Sequence, residues 1–185
     1  MTLYFNIKKI TTVLCYLSNK LGPINKLKTI KLLYYIDKAH LLKYGRFVSN
    51  DTYVKLANDL APIEACSIIN KHENKIKGIF YFNDHISVDL KNKVIIAKKN
   101  HDISKLSKSE IKIIDVVIEK YGQYTDSELI KKTYNEKAWI RTCNNCYLKV
   151  ENLIADLSEN KQNELLDFIK QNNETDNFLR SMGLI

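Results

Sequence analysis

One stretch constrains this 185-residue chain more than any other: residues 26–45, KLKTIKLLYYIDKAHLLKYG. It holds no Pro and no internal Gly, so nothing in it interrupts a helix, and Gly45 is placed to end one in a left-handed cap. Its first turns are too apolar for a surface helix, and the spacing predicts one central, mostly buried helix. Leu27, Ile30, Leu33, Tyr34 and Leu41 recur at three- and four-residue steps on a broad apolar face, with Ile36 beside it. Lys28, Lys31, Tyr35 and Lys38 recur at the same steps on another side, which predicts a solvent-facing basic stripe. Asp37 and His40 fall near the apolar face, where a carboxylate needs a partner, and a separation of three lets them pair with each other.

A chain of this length supports one good core. A hydrophobic content of 45%, with only two prolines and five glycines, predicts long helices, few tight turns and no linker. No apolar run is long enough to cross a bilayer, and residues 1–16 lack the pattern of a secretory leader, so a cytoplasmic protein without membrane contact is expected. Four cysteines at irregular spacing in such a chain, Cys15, Cys66, Cys143 and Cys146, read as reduced thiols. The net charge of +8 is uneven: residues 1–50 hold nine Lys or Arg against one acid, residues 51–150 seventeen against thirteen, and residues 151–185 three against seven. A basic excess at one end favours an acidic protein surface or a phosphate backbone as partner, while lysines scattered over two helices also serve simply as a solubilising surface.

Residues 5–21 place Ile10, Val13, Leu14, Leu17 and Leu21 on one face of an amphipathic helix, and Gly22-Pro23 ends it. The short connection predicts that this helix packs side by side with the central one. Residues 52–60 fit either helix or extended chain. Pro62 suits the first turn of a further helix running to about His72, with Ile63, Cys66 and Ile69 on its buried side. From residue 76 the period changes to two: residues 76–82, 86–90 and 94–97 read as an antiparallel meander joined by turns at 83–85 and 91–93. Such a meander needs the helices to cover one face. Ser107 with Glu110, and Thr125 with Glu128, form two capping boxes, each with a hydrophobic staple (Leu106 with Ile111, Tyr124 with Leu129). Trp139 reads as a core anchor. Two more helices carry Leu148, Leu153, Ile154 and Leu157, then Leu165, Leu166 and Ile169, with a polar break at residues 174–176 before an apolar end. The fold class is therefore mainly α (α+β), helices around a central buried one with a small antiparallel meander.

The chemistry is sparse. Cys143-Asn-Asn-Cys146 is one CxxC, and zinc would need two further ligands, for which Cys15, Cys66, His40 and His72 are the scattered candidates. There is no glycine-rich phosphate loop, no GxSxG elbow and no HExxH helix. Neither a metal nor a cofactor is expected, and catalysis has no positive support.

Three separated segments carry a resemblance: LLYYIDKAHLLKYGR, YVKLANDLAPIEA and LSKSEIKIIDVVIEKYGQYTDSELIKKTYNEKAW. In order and spacing they resemble the Panacea domain, the SocA-like family of bacterial and phage antitoxins, across residues 3–142. The resemblance implies a domain at residues 1–142 with a helical extension at residues 143–185. It implies family-motif positions of structural importance at Leu32, Leu33, Tyr34, His40, Gly45, Pro62 and Trp139. Ala61 stands where the family usually has Gly, Tyr134 where His is common, and Ala138 where Pro normally precedes Trp139. The implied activity is neutralisation of a cognate protein toxin by direct complex formation, the toxin being encoded by an adjacent gene. An adaptor role, presenting a toxin to a host protease, is also known in the family. Candidate partner-binding residues are those of the basic stripe, Lys28, Lys31, Tyr35 and Lys38, together with the C-terminal extension. Two other readings compete. DNA binding through the basic N-terminal helices or the helices of residues 107–133 is disfavoured by acids at the start of the second helix and by the scarcity of Arg. An enzyme using Asp37 and His40 would be the third.

Overall fold

The computed structural model describes residues 6–57, 59–70, 79–98 and 103–183. It is mainly helical with small antiparallel sheets. The centre is α2 (Lys26–Tyr44), as the apolar density of its sequence requires. Asn25 caps it, its side-chain oxygen accepting the Lys28 N–H at 2.8 Å. Gly45 closes it at φ +68°, donating its N–H to the Leu41 carbonyl at 2.9 Å. Gly45 is needed twice over, because a Cβ there would also meet the Phe168 ring at 2.6 Å.

The first helix, α1 (Ile7–Leu21), ends at Gly22 with φ +78°. Its apolar face is fully buried at Ile10, Val13, Leu14 and Leu17. The expected side-by-side pairing with α2 is not its main packing. Ile24 and Asn25 form a strand, β1 (Ile24–Asn25), instead of a turn, and this carries the chain away. α1 lies chiefly against the middle of the chain, while α2 packs on the helices beyond residue 107.

After α2 comes a hairpin, β2 (Tyr53–Leu56) with β3 (Asp59–Pro62), in which Tyr53 faces Pro62 and Val54 faces Ala61. Residues 53–56 and 59–60 are thus extended rather than helical. Ala61 sits in this ladder, without the positive φ that a glycine would serve. Pro62 ends β3 and occupies the cap position of α3 (Ile63–Ile69), one residue before the helical turn expected for it. It offers no side-chain acceptor there. Asp51 supplies one from the preceding loop, accepting the N–H groups of Glu64 at 3.0 Å and Ala65 at 2.8 Å.

The meander is smaller than the alternation suggests. Residues 79–82 are helical, within α4 (Ile79–His85), and residues 76–78 lie outside the described residues, as does His72. Ile79 and Phe82 are both buried, and this i, i+3 spacing is served by a helix. The turn expected at 83–85 is the end of that helix. β4 (Ile86–Asp89) and β5 (Val94–Ala97) do pair, and the third strand of their sheet is β1, with Ile24 opposite Ile95.

Both capping boxes form. Ser107 and Glu110 open α5 (Lys108–Tyr121), and Thr125 and Glu128 open α6 (Asp126–Tyr134). A short α7 (Lys137–Arg141) comes next, and Trp139 on it is half-buried, its ring stacked on Tyr134 at 4.5 Å. Residues 145–148 then lie along the free side of β2: Asn145 N–H donates to the Lys55 carbonyl at 2.6 Å, Lys55 N–H to the Cys146 carbonyl at 2.9 Å, and Leu148 N–H to the Tyr53 carbonyl at 2.9 Å. At the end of α8 (Val150–Leu153), Leu153, Ile154 and Ala155 enter the core. The last helix, α9 (Glu159–Ser181), runs unbroken through residues 174–176, because Glu, Thr and Asp cost a helix little when their side chains stay in water.

Cys143 and Cys146 are joined as a disulfide, so the expectation of four reduced thiols is corrected for this pair. Asn145, at φ +62°, curls the turn and brings the two Cα atoms to 5.4 Å. Cys15 and Cys66 remain thiols.

Candidate functional site

The residues that sequence reasoning singled out lie mostly on α2, and the basic stripe does not face solvent. Lys31 is fully buried and ion-paired with Asp59 of β3. Tyr35 is buried, its ring stacked 4.3 Å from Tyr121 and its hydroxyl 3.2 Å from Thr133 Oγ1. Lys38 is buried to 9% exposure and donates to Glu136 at 2.8 Å and to Asp156 at 3.1 Å. Lys28 alone of the four stays half-exposed. The physical reason is that α2 is covered on nearly all sides, so charges that helical periodicity assigns to a wet face meet acids from distant parts of the chain.

Tyr34 shares the same acid, its hydroxyl donating to Glu136. Burial, and then the nearby Glu136 carboxylate, hold this phenol far above its ordinary titration range. One carboxylate thus ties two successive turns of α2 to the connection between α6 and α7.

Asp37 and His40 do not pair. Asp37 Oδ1 accepts the N–H groups of Val48 at 2.8 Å and Ser49 at 2.9 Å, and Oδ2 accepts the hydroxyls of Ser49 and of Tyr53, the latter at 2.7 Å. Burial raises its titration, and these four hydrogen bonds oppose that rise. His40 donates through Nδ1 to the Arg46 carbonyl at 2.8 Å, and burial lowers its pKa, so the ring stays neutral. Both side chains fold the loop after Gly45 back onto α2. Arg46 in turn donates to Glu110 at 2.6 Å, as does Lys9 of α1. Burial alone would raise Glu110, but the Lys9, Ser107 and Arg46 donors outweigh it and its carboxyl titrates below the ordinary range.

The other motif positions are structural in placement. Leu32, Leu33 and Tyr34 are in the core, Pro62 joins β3 to α3, and Trp139 lies under the Lys55 ammonium, 4.5 Å from its ring centre. That ammonium also donates to the carbonyls of Trp139 at 2.9 Å and Thr142 at 2.8 Å. Among the described residues every buried side-chain nitrogen or oxygen has a partner. The acids that complete this framework, Asp59, Glu136 and Asp156, carry no local sequence signal, since each acts on a helix at least 28 residues away. Glu110 did carry one, the capping box, which is half of its role.

What stays open lies elsewhere. A groove of about 680 Å³ runs beside the first turn of α2, between the two sheets, with the exposed side chains Leu56 and Leu90 among its lining residues and Lys26 and Lys93 beside them. α9 half-buries one face through Leu165, Leu166 and Ile169, and near its end Phe178 and Met182 are 62% and 58% exposed while Leu179 is half-buried. Among the described residues no three His, Cys, Asp or Glu side chains gather as a metal site, and no helix is long and apolar enough to cross a membrane.

No curated protein and no solved structure gives a significant match to the chain. A family model described as antitoxin SocA-like, Panacea domain, matches residues 30–140. That span begins on α2, ends on α7 and contains Tyr34, Asp37, His40, Gly45, Arg46 and Glu136, the residues that hold the central helix in place. The chain therefore belongs to the SocA-like antitoxin, Panacea domain family.

Proposed function

We propose that this protein is an antitoxin of a bacterial or phage toxin–antitoxin system, acting in the cytoplasm and neutralising a cognate protein toxin by binding it directly. The observation that carries the reading is the family match over residues 30–140. Side-chain exposure supports a contact surface near the end of α9. Lys31, Tyr35 and Lys38 are engaged inside the protein and are unavailable to a partner. The end of α9 offers Phe178 and Met182 uncovered, on a C-terminal segment where acids outnumber bases seven to three. Two large apolar side chains on an acidic helix suit a basic, apolar surface of a partner. Binding of this kind needs no catalytic group, and the polar clusters around α2 already have internal roles.

The test is co-expression with the product of the adjacent gene. The neighbour is expected to arrest growth alone, to be harmless with this protein present, and to co-purify with it in fixed stoichiometry. Phe178→Asp with Met182→Asp is expected to abolish the complex while leaving the fold intact. Recovery of nucleic acid in place of a protein partner, released by salt, would overturn the reading.

A further inference from the structure

The Cys143–Cys146 disulfide sits at a mechanically sensitive place. Cys143 is exposed and Cys146 half-buried, so small thiols reach the bond. The four-residue ring lies between Thr142, whose carbonyl holds the Lys55 ammonium, and Tyr147, which bridges to Val54 of β2. Inside the ring, Asn145 N–H and the Cys146 carbonyl make two of the three hydrogen bonds that seat residues 145–148 on β2. Asn145 is held there at φ +62°, a left-handed conformation that Asn adopts more readily than most residues other than glycine. The C-terminal part of the chain follows directly from this seam: the core residues Leu153, Ile154 and Ala155, the Asp156 partner of Lys38, and then α9 with Phe168 against Gly45.

We propose that this disulfide is a thiol-exchange site, and that its reduction loosens the seam on β2 and with it the anchoring of the C-terminal segment. The reductant is a low-molecular-weight thiol such as glutathione. Its thiolate attacks the exposed Cys143 Sγ, the bond between the two sulfurs breaks, and Cys146 leaves as a thiolate that takes a proton from water. A second glutathione thiolate attacks the glutathione sulfur of the mixed disulfide, releasing Cys143 and oxidised glutathione. The protein gains two electrons and two protons. Bonds of this exposed kind are the labile, regulatory ones. Cys15 and Cys66 do not compete, because burial pushes their thiols up to about 11 and about 12 and keeps them protonated at neutral pH. The inference stands whether or not a toxin docks on α9.

The test uses the full chain equilibrated across a series of reduced-to-oxidised glutathione ratios. Rapid acid quenching, alkylation and mass measurement count the free thiols, and amide hydrogen exchange is followed in the same buffers. Cys143 and Cys146 are expected to pass together from disulfide to dithiol within the series. In the dithiol form the amides of Lys55, Asn145 and Leu148 are expected to exchange about twentyfold faster, the size set by loss of so short a closed loop, with α2 amides unchanged. A Cys143→Ala, Cys146→Ala double variant is expected to show the fast rate in every buffer. Two free thiols at every ratio, a disulfide that survives every ratio, or equal exchange in both forms would overturn the proposal. The wild-type series decides even if the variant does not fold.

Discussion

The two longest helices place their charges in opposite ways. α2, 19 residues long, puts Lys31, Asp37, Lys38 and His40 inside the protein, each matched to a named partner, and leaves little polar surface. α9, 23 residues long, leaves the charged side chains of residues 159–176 in water and half-buries one narrow face over its first half. The difference separates two tasks. A buried charged residue fixes the geometry of its neighbours, because leaving either member unpaired is costly, whereas a solvated charge tolerates replacement. α2 is where the domain is specified. The end of α9 is where the proposed partner contact lies.

The largest expected effect tests the first half of that contrast. Asp37→Ala strands the N–H groups of Val48 and Ser49 and the hydroxyls of Ser49 and Tyr53 in a dry site. A loss of about 4 kcal/mol is expected, read as a fall in the urea midpoint. A loss under about 1 kcal/mol would mean that the loop after Gly45 finds water, and that α2 is less buried than its packing indicates.

Lys38→Met should come next. It removes the cation between Glu136, which is 15% exposed in its side chain, and Asp156, which is 47% exposed. Methionine fills the space, so the cost comes from Glu136 left beside the Tyr34 hydroxyl, about 2 kcal/mol. Glu136→Gln combined with Lys38→Met should recover part of it, and a double-mutant cycle measures the coupling. Simple additivity would break the picture of a shared ion cluster.

Asp51 adds a pH signature. Burial, opposed by the N–H donors of Ala65, Glu64 and Thr52, pushes its carboxyl up to about 6. A carboxyl raised in the folded protein contributes stability that is fully present below its unfolded pKa, and that stability is lost as pH rises through the folded value. Between pH 7 and pH 5 the wild type should therefore gain about 1 kcal/mol from this group, and Asp51→Asn should lack that gain. Asp37 shifts in the same direction. Parallel pH profiles of wild type and Asp51→Asn would show that this carboxylate is wetter than the fold implies.

How much of this was legible in the sequence depends on the range of each interaction. Gly45, the two capping boxes and the end of α1 are set by neighbours within four residues, and the sequence displays them. The buried stripe is different. Nothing near Lys31 in the chain points to Asp59, and nothing near Lys38 points to Glu136 or Asp156, so periodicity assigned those lysines to water. Asp37 and His40 are three residues apart and look like a pair, yet Asp37 is matched by donors 11 to 16 residues on. Residues 79–82 contain apolar and aromatic side chains that suit strand and helix alike, and packing against α1 decides for the helix. The CxxC motif is plain in the sequence, but whether its sulfurs join depends on the turn at Asn145. The basic stripe was expected to face solvent for the same reason: exposure is a property of the whole fold.

The smallest expected effect on stability is the sharpest test of the contrast. Phe178→Asp replaces a ring that is 62% exposed near the end of α9. A surface position of this kind changes stability by no more than about 0.5 kcal/mol. If α2 specifies the domain and α9 presents the contact, this variant should unfold at the wild-type urea midpoint and still lose toxin capture in the co-purification assay. Lys38→Met should do the reverse, unfolding earlier while still capturing toxin where it remains folded. Capture retained by Phe178→Asp but lost in a folded Lys38→Met would invert the assignment, and would place the partner surface beside Glu136 and Asp156. A marked loss of stability in Phe178→Asp would instead show that the end of α9 folds back onto the body, which the exposure of Phe178 and Met182 argues against.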